Sequence, residues 1–256
     1  MLNIKCKIPE AWDAFDDLYW TVYQFDWFEK NGRLWAKKFF SDLNNPLINE
    51  MLKDAHLINP NDSRDSKFTE KYSKRFEQEL YLPDEYIERV QRAELSLLAI
   101  EKCWYKVEEL NKNWYFKICN EYFVIPHLYR AWSSYYFCDN GTGCVYLCNS
   151  EKRPEYLPHQ TAVILHEILH LGIEELIVQK FNLCQEEKER LVDNLCMYVT
   201  DDNQDFKYAY KWSDCTTSPH QETTRDYAYM DALMGIQPET NLVKAVEKFV
   251  ANRASN

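Results

Sequence analysis

From about residue 9 to residue 110 the hydrophobic and polar positions alternate with a helical period. Asp13, Asp16 and Asp17 interleave with Trp12, Phe15, Leu18, Tyr19, Trp20, Val22 and Tyr23, giving a wide apolar stripe on an acidic helix. Turn-forming side chains and prolines break the pattern at Asn31-Gly32, at Asn44-Asn45-Pro46 and at Asn59-Pro60-Asn61-Asp62-Ser63. After Pro83, the positions Ile87, Val90, Ala93, Leu97, Leu98, Ile100, Trp104 and Val107 recur at three- and four-residue spacing, which predicts one long amphipathic helix to about Leu110.

The period changes near Asn113. Trp114 to Ile118 and Tyr122 to Ile125 are short β-prone runs. Trp132 to Cys138 and Cys144 to Cys148 flank Asp139-Asn140-Gly141-Thr142-Gly143, a hairpin signal. The expectation is a small, mostly antiparallel sheet. Helix returns near Pro158 and continues towards Phe181, and a second helix runs from about Gln185 to Tyr198. A polar loop after Thr200 precedes helical patterns at Arg225 to Met234 and Thr240 to Ala251. The fold class is therefore α+β and helix-rich, with a helical region over 1–112 and a second region over 113–256.

Composition narrows the function classes. Hydrophobic residues make up 46% of the 256, so the chain can offset its ordering entropy and fold. Only five glycines argue against a dinucleotide-binding crossover. A formal charge of −11 disfavours nucleic acid, whose phosphates demand a cationic surface. Met1 to Lys7 lacks the apolar core of a secretory signal, and no stretch is long and apolar enough for a membrane span. The nine cysteines then read as reduced thiols, and the expected location is the cytoplasm. Nothing in the sequence signals an oligomeric state.

The chemistry concentrates in His166-Glu167-Ile168-Leu169-His170. Two histidines four apart lie about 40° apart around a helix axis, so both imidazoles can face one metal ion with Glu167 beside them. Val163, Ile164, Leu165, Ile168, Leu169, Leu171, Ile173, Leu176 and Ile177 make the helix apolar around most of its circumference. Buried polar groups there need partners, and two histidines flanking a glutamate are better explained by a metal than by separate core hydrogen bonds.

A zinc site with two histidines needs a third protein ligand and an open fourth position. The next helix reads Glu186-Glu187-Lys188-Glu189-Arg190-Leu191-Val192-Asp193, and Glu189 is placed to provide that ligand, with Glu186 as its rival. Asp193, one turn beyond Glu189 on the same face, offers an acceptor to the outer ring nitrogen of His166 or His170. Glu187 and Lys188 read as part of a solvated first turn.

This pattern, HExxH at 166–170 followed by Glu189-Arg190-Leu191-Val192-Asp193, resembles the gluzincin zinc metallopeptidases over roughly residues 158 to 199. The resemblance implies a zincin-like core, zinc on His166, His170 and Glu189, Glu167 as general base and proton shuttle, and Asp193 orienting a histidine ligand. It also implies an edge strand that binds the substrate backbone, either Trp132 to Cys138 or Cys144 to Cys148. The implied substrate is a peptide or protein. The family's asparagine-bearing edge-strand motif is not recognisable. A metzincin pattern fails because glycine falls at Gly172, one place early, and Leu176 stands where a third histidine belongs. A donor for the developing oxyanion would come from His220, Tyr227 or Tyr229 in the tail.

Other features have plainer readings. Cys138, Cys144 and Cys148 lack tight CxxC pairs and read as small apolar strand residues, although a deformylase-like cysteine ligand is the alternative use of Cys144 or Cys148. His56, His127 and His159 have no partner at ligand spacing and read as structural. The aromatic stretch from Trp12 to Phe40 reads as core. The competing function is a catalytically inactive protein that keeps a metallopeptidase fold for binding or regulation. Retention of Glu167 favours the enzyme, since a purely structural site has no need of it.

Overall fold

The computed structural model describes residues 2–30, 44–59, 61, 66–113, 116–130, 134–137, 140–148, 157–200, 246–247 and 250–251. Four helices come first: α1 (Ala11–Lys30), α2 (Pro46–Lys53), α3 (Lys67–Glu79) and α4 (Pro83–Asn113). Helix α2 starts where the turn signal predicts, with Pro46 in its first turn and the Asn45 side chain accepting the Leu47 N–H at 2.9 Å. Ser66 caps α3 in the same way, accepting the Thr69 N–H at 3.1 Å. Phe15, Leu18 and Tyr19 of α1 pack with Leu47, Ile48 and Met51 of α2 and with Phe68, Tyr72 and Phe76 of α3 in one aromatic-rich cluster. The described part of the aromatic stretch is thus core on its inner face, while Tyr23 and Trp27 are exposed.

A second cluster surrounds α5 (Leu157–Ile173), which carries the HExxH motif. Helix α4 supplies Ala93, Ile100, Trp104 and Val107 to it. Ile87 and Leu98, grouped with these by periodicity, lie instead on the solvent side. Val246 in the helical tail also joins this cluster. The rest of the predicted tail helices, including 225–234, lies outside the described residues. No helix among the described residues is long and apolar enough to cross a membrane.

The sheet overturns the expectation of mostly antiparallel pairing. Its four strands, β1 (Ile4–Cys6), β2 (Glu121–Pro126), β3 (Ser134–Phe137) and β4 (Thr142–Leu147), lie in the order β1-β2-β4-β3. β1 pairs with β2 and β2 with β4 in parallel, and only β3 and β4 are antiparallel. The hairpin is where the sequence placed it. Gly141 takes φ +79°, a left-handed conformation suited to glycine, and Asn140 Oδ1 accepts the Thr142 N–H at 3.1 Å. The parallel partners come from far along the chain, where local periodicity has no reach. β4 nevertheless carried a signal, since it is buried almost throughout rather than alternating, as parallel strands are. Phe116 to Ile118, expected as strand, has no ladder; Trp114 and Tyr115 lie outside the described residues.

Past Ile173 the α5 helix widens into a π-helical turn, Glu174–Gln179. It stops at Asn182, whose φ of +50° turns the chain while Leu183 N–H bonds back to Val178 O at 3.0 Å. Helix α6 (Gln185–Thr200) then packs back along α5. Its first turn is closed by Glu187, whose Oε2 accepts the Cys184 N–H at 2.9 Å. Glu187 is fully buried, contrary to its reading as a solvated residue.

Gly172, two residues after His170, lies against the outer end of the Phe116 ring, and Lys117 N–H bonds to its carbonyl at 2.9 Å. A Cβ there would overlap that ring. Gly172→Ala is therefore expected to lower unfolding free energy by about 1–3 kcal/mol in urea titration, and pairing it with Phe116→Leu should recover part of the loss. An additive double mutant would show that the two groups do not compete for space.

Candidate metal centre

His166 and His170 lie one turn apart on the buried face of α5, and Glu189 faces them from the second turn of α6. Their reactive atoms converge. His166 Nε2 is 2.9 Å from His170 Nε2, and Glu189 Oε2 is 3.0 Å from the first and 3.2 Å from the second. Tetrahedral zinc bonds of about 2.0–2.1 Å space neighbouring ligand atoms by about 3.3 Å. The triangle fits that requirement closely, and its two nitrogens and one carboxylate oxygen are a zinc donor set. Among the described residues this is the only group of histidine, cysteine and carboxylate side chains that could hold a metal ion. Cys144 and Cys148 are not part of it, which disposes of the cysteine-ligand alternative within those residues. The rival side chain, Glu186, lies outside the described residues.

The surroundings hold the ligands in place. Asp193 Oδ1 lies 3.4 Å from His166 Nδ1, and Cys196 also hydrogen-bonds that histidine. Gln185 Nε2 donates to Glu189 Oε1, leaving Oε2 turned to the histidines. Sequence reasoning missed Gln185, although a partner four residues before a buried glutamate is legible from helical spacing.

Burial acts on every charge here. It disfavours a charged His166, yet bonds with Asp193, Cys196 and Glu189 outweigh it and raise the histidine well above its usual value. Burial pulls His170 down to about 4, so its imidazole is neutral near pH 7. Burial also pushes the Glu189 carboxyl up, but hydrogen bonds from His166 and His170 prevail and hold it well below the carboxylate range. Glu167 stands outside the converging triad. Burial drives its carboxyl up to about 7, opposed by the charges of His166, Lys188 and Arg130.

Two more side chains reach the site from positions that sequence analysis did not single out for it. Tyr135 of β3 stacks on His170, with centroids 5.0 Å apart and planes 13° from parallel. Lys188, read as solvated, instead directs Nζ to Tyr135 Oη at 3.2 Å and bears electrostatically on Glu167 and His170. No periodicity distinguishes Tyr135 among eighteen tyrosines. His127 packs its ring on Tyr146 at 5.2 Å and contacts the Asp17 carboxylate, away from the triad. His220, Tyr227 and Tyr229 lie outside the described residues, as do Cys138 and the side chain of His159.

The triad His166, His170 and Glu189 matches the zinc-binding pattern of the gluzincins, HExxH followed by a glutamate on the next helix. In comparison with known proteins no family profile matches the chain, and neither a curated protein nor a solved structure matches it significantly. The assignment therefore stands on the local geometry of these residues.

Removing the Asp193 charge loosens His166. Asp193→Asn is expected to weaken zinc binding by about 10-fold or more in chelator competition, with the fold intact by circular dichroism. Parent-like affinity would place the orienting contact elsewhere.

Proposed function

We propose that the protein is a zinc-dependent metallopeptidase acting on a peptide or protein substrate. The observation that carries this reading is the buried convergence of His166 Nε2, His170 Nε2 and Glu189 Oε2, with a further carboxylate, Glu167, beside it and outside the ligand set. A structural site has no use for that fourth group. Zinc held by the triad would supply a Lewis acid that polarises a carbonyl oxygen and lowers the pKa of bound water.

The residues of the chain divide the remaining work. Glu167 accepts a proton from the attacking water on a carboxylate oxygen and passes it to the leaving amine nitrogen. Asp193 holds His166 through Nδ1, and Gln185 holds Glu189 through Oε1. Lys188 and Arg130, both in electrostatic contact with Glu167, favour its ionised form, which a base requires. His220 and Tyr227 remain proposed donors to the oxyanion.

The substrate strand is assigned to β3. Of the two candidates, β4 is paired on both sides, whereas β3 pairs only with β4 among the described residues. Its outer edge is suited to accept an extended peptide as an added strand. The proposed location is the cytoplasm, on the sequence reading of the cysteines as reduced thiols.

The test is Glu167→Gln beside His170→Ala. Glu167→Gln should keep about one zinc per chain and lose about 10²–10⁴-fold of the hydrolysis rate on a peptide library. His170→Ala should lose the metal itself. Unchanged hydrolysis by zinc-loaded Glu167→Gln would remove the general-base role, and a parent protein that takes up no zinc would turn the reading to an inactive binding protein.

A further inference from the structure

We propose that Tyr135 is a positioning residue of the metal site, whose ring fixes the plane of the His170 imidazole in place of a hydrogen bond; this rests on the zinc-site reading above. A ligating histidine ordinarily donates its outer ring N–H to an acceptor, which sets ring orientation. His166 follows that rule through Asp193. His170 does not: its Nδ1 is buried and has no hydrogen-bond partner among the described residues. What His170 has instead is a flat surface. Tyr135 lies against it nearly parallel, at 5.0 Å and 13°, while the His166 ring meets it edge-on at 4.6 Å and 74°.

A stacked ring orients its neighbour only if it is itself held. The Tyr135 hydroxyl donates to Glu174 Oε2 at 2.5 Å and accepts from Lys188 Nζ at 3.2 Å. Glu174 is the first residue of the π turn, four positions after His170, and Lys188 directly precedes Glu189. The two anchors thus come from the two helices that supply the metal ligands. Strand β3 is tied by one side chain to both of them. The ring also occupies the side of His170 on which rotation of the imidazole would sweep, so the stack resists that rotation by excluded volume as well as by π contact.

The experiment measures zinc affinity by chelator competition and the visible absorption of the cobalt(II)-substituted protein for the parent, Tyr135→Phe and Tyr135→Leu. Thermal melting of each metal-free protein reports the fold separately. Tyr135→Leu is expected to bind zinc about 10–100-fold more weakly and to shift the cobalt bands at full loading, since those bands read ligand geometry. Tyr135→Phe, which keeps the ring but loses both hydroxyl anchors, should fall between the parent and Tyr135→Leu in affinity and spectrum. Parent-like affinity and spectrum in Tyr135→Leu would overturn the proposal. So would an equal loss in both variants, which would move the effect from the ring to the hydroxyl. If metal-free Tyr135→Leu does not fold, Tyr135→Met serves as the non-aromatic variant with the same two outcomes. A parent that binds neither metal would overturn the zinc-site reading and this role with it, whereas a zinc-binding parent beside unaffected variants would overturn this role alone.

Discussion

Five ionisable side chains around the metal site, His166, Glu167, His170, Glu189 and Asp193, are each less than a tenth exposed on two helices whose inward faces are otherwise mostly apolar. Removing such groups from water costs several kcal/mol apiece unless each is matched by an opposite charge or a hydrogen bond. Much of the nearby architecture answers that cost. The left-handed Asn182 turns α6 back along α5, the buried Glu187 closes the first turn of α6, and Gln185 and Asp193 contact Glu189 and His166. Three of the five groups converge on one point, where a divalent cation would offset the cost of gathering them.

The parts of this arrangement that the sequence discloses are those carried by a single helix. His166 and His170 at a separation of four, and Glu189 and Asp193 at the same separation, are fixed by helical geometry whatever else the chain does. Their mutual approach needed only two antiparallel helices and a short turn. The sheet was less legible because strand identity is local but strand pairing is not. The hairpin of β3 and β4 has its turn residues beside it, and it is the one antiparallel pairing among the described residues; both parallel pairings join segments that no local pattern links. Tyr135 and Lys188 were hidden for the same reason, since their importance comes from a strand and a helix meeting in space.

Among the described residues, a charged contact links the aromatic cluster of α1 to α3 with the site. Asp17, buried on α1, accepts a bond from Arg130 Nη1 at 2.5 Å, and the Arg130 guanidinium lies 4.7 Å over the Tyr146 ring of β4. Arg130 in turn bears on Glu167. A buried carboxylate of α1 is thereby linked through Arg130 to Glu167. Such coupling gives the helical region an electrostatic connection to the site in addition to its packing.

Strand β1 bears on the order in which the molecule can be assembled. Asn3 donates through its side chain to Asn120 O, a partner 117 positions away, and Ile4 to Cys6 pair with a strand that follows the whole of α4. On a chain made from its amino end, β1 emerges long before β2 exists to receive it. The aromatic helices can collapse around local contacts in the meantime, whereas the sheet beside the HExxH helix closes only after residue 147 has been made. The metal ligands can therefore come together only after the last strand of that sheet and both helices that carry them have been made.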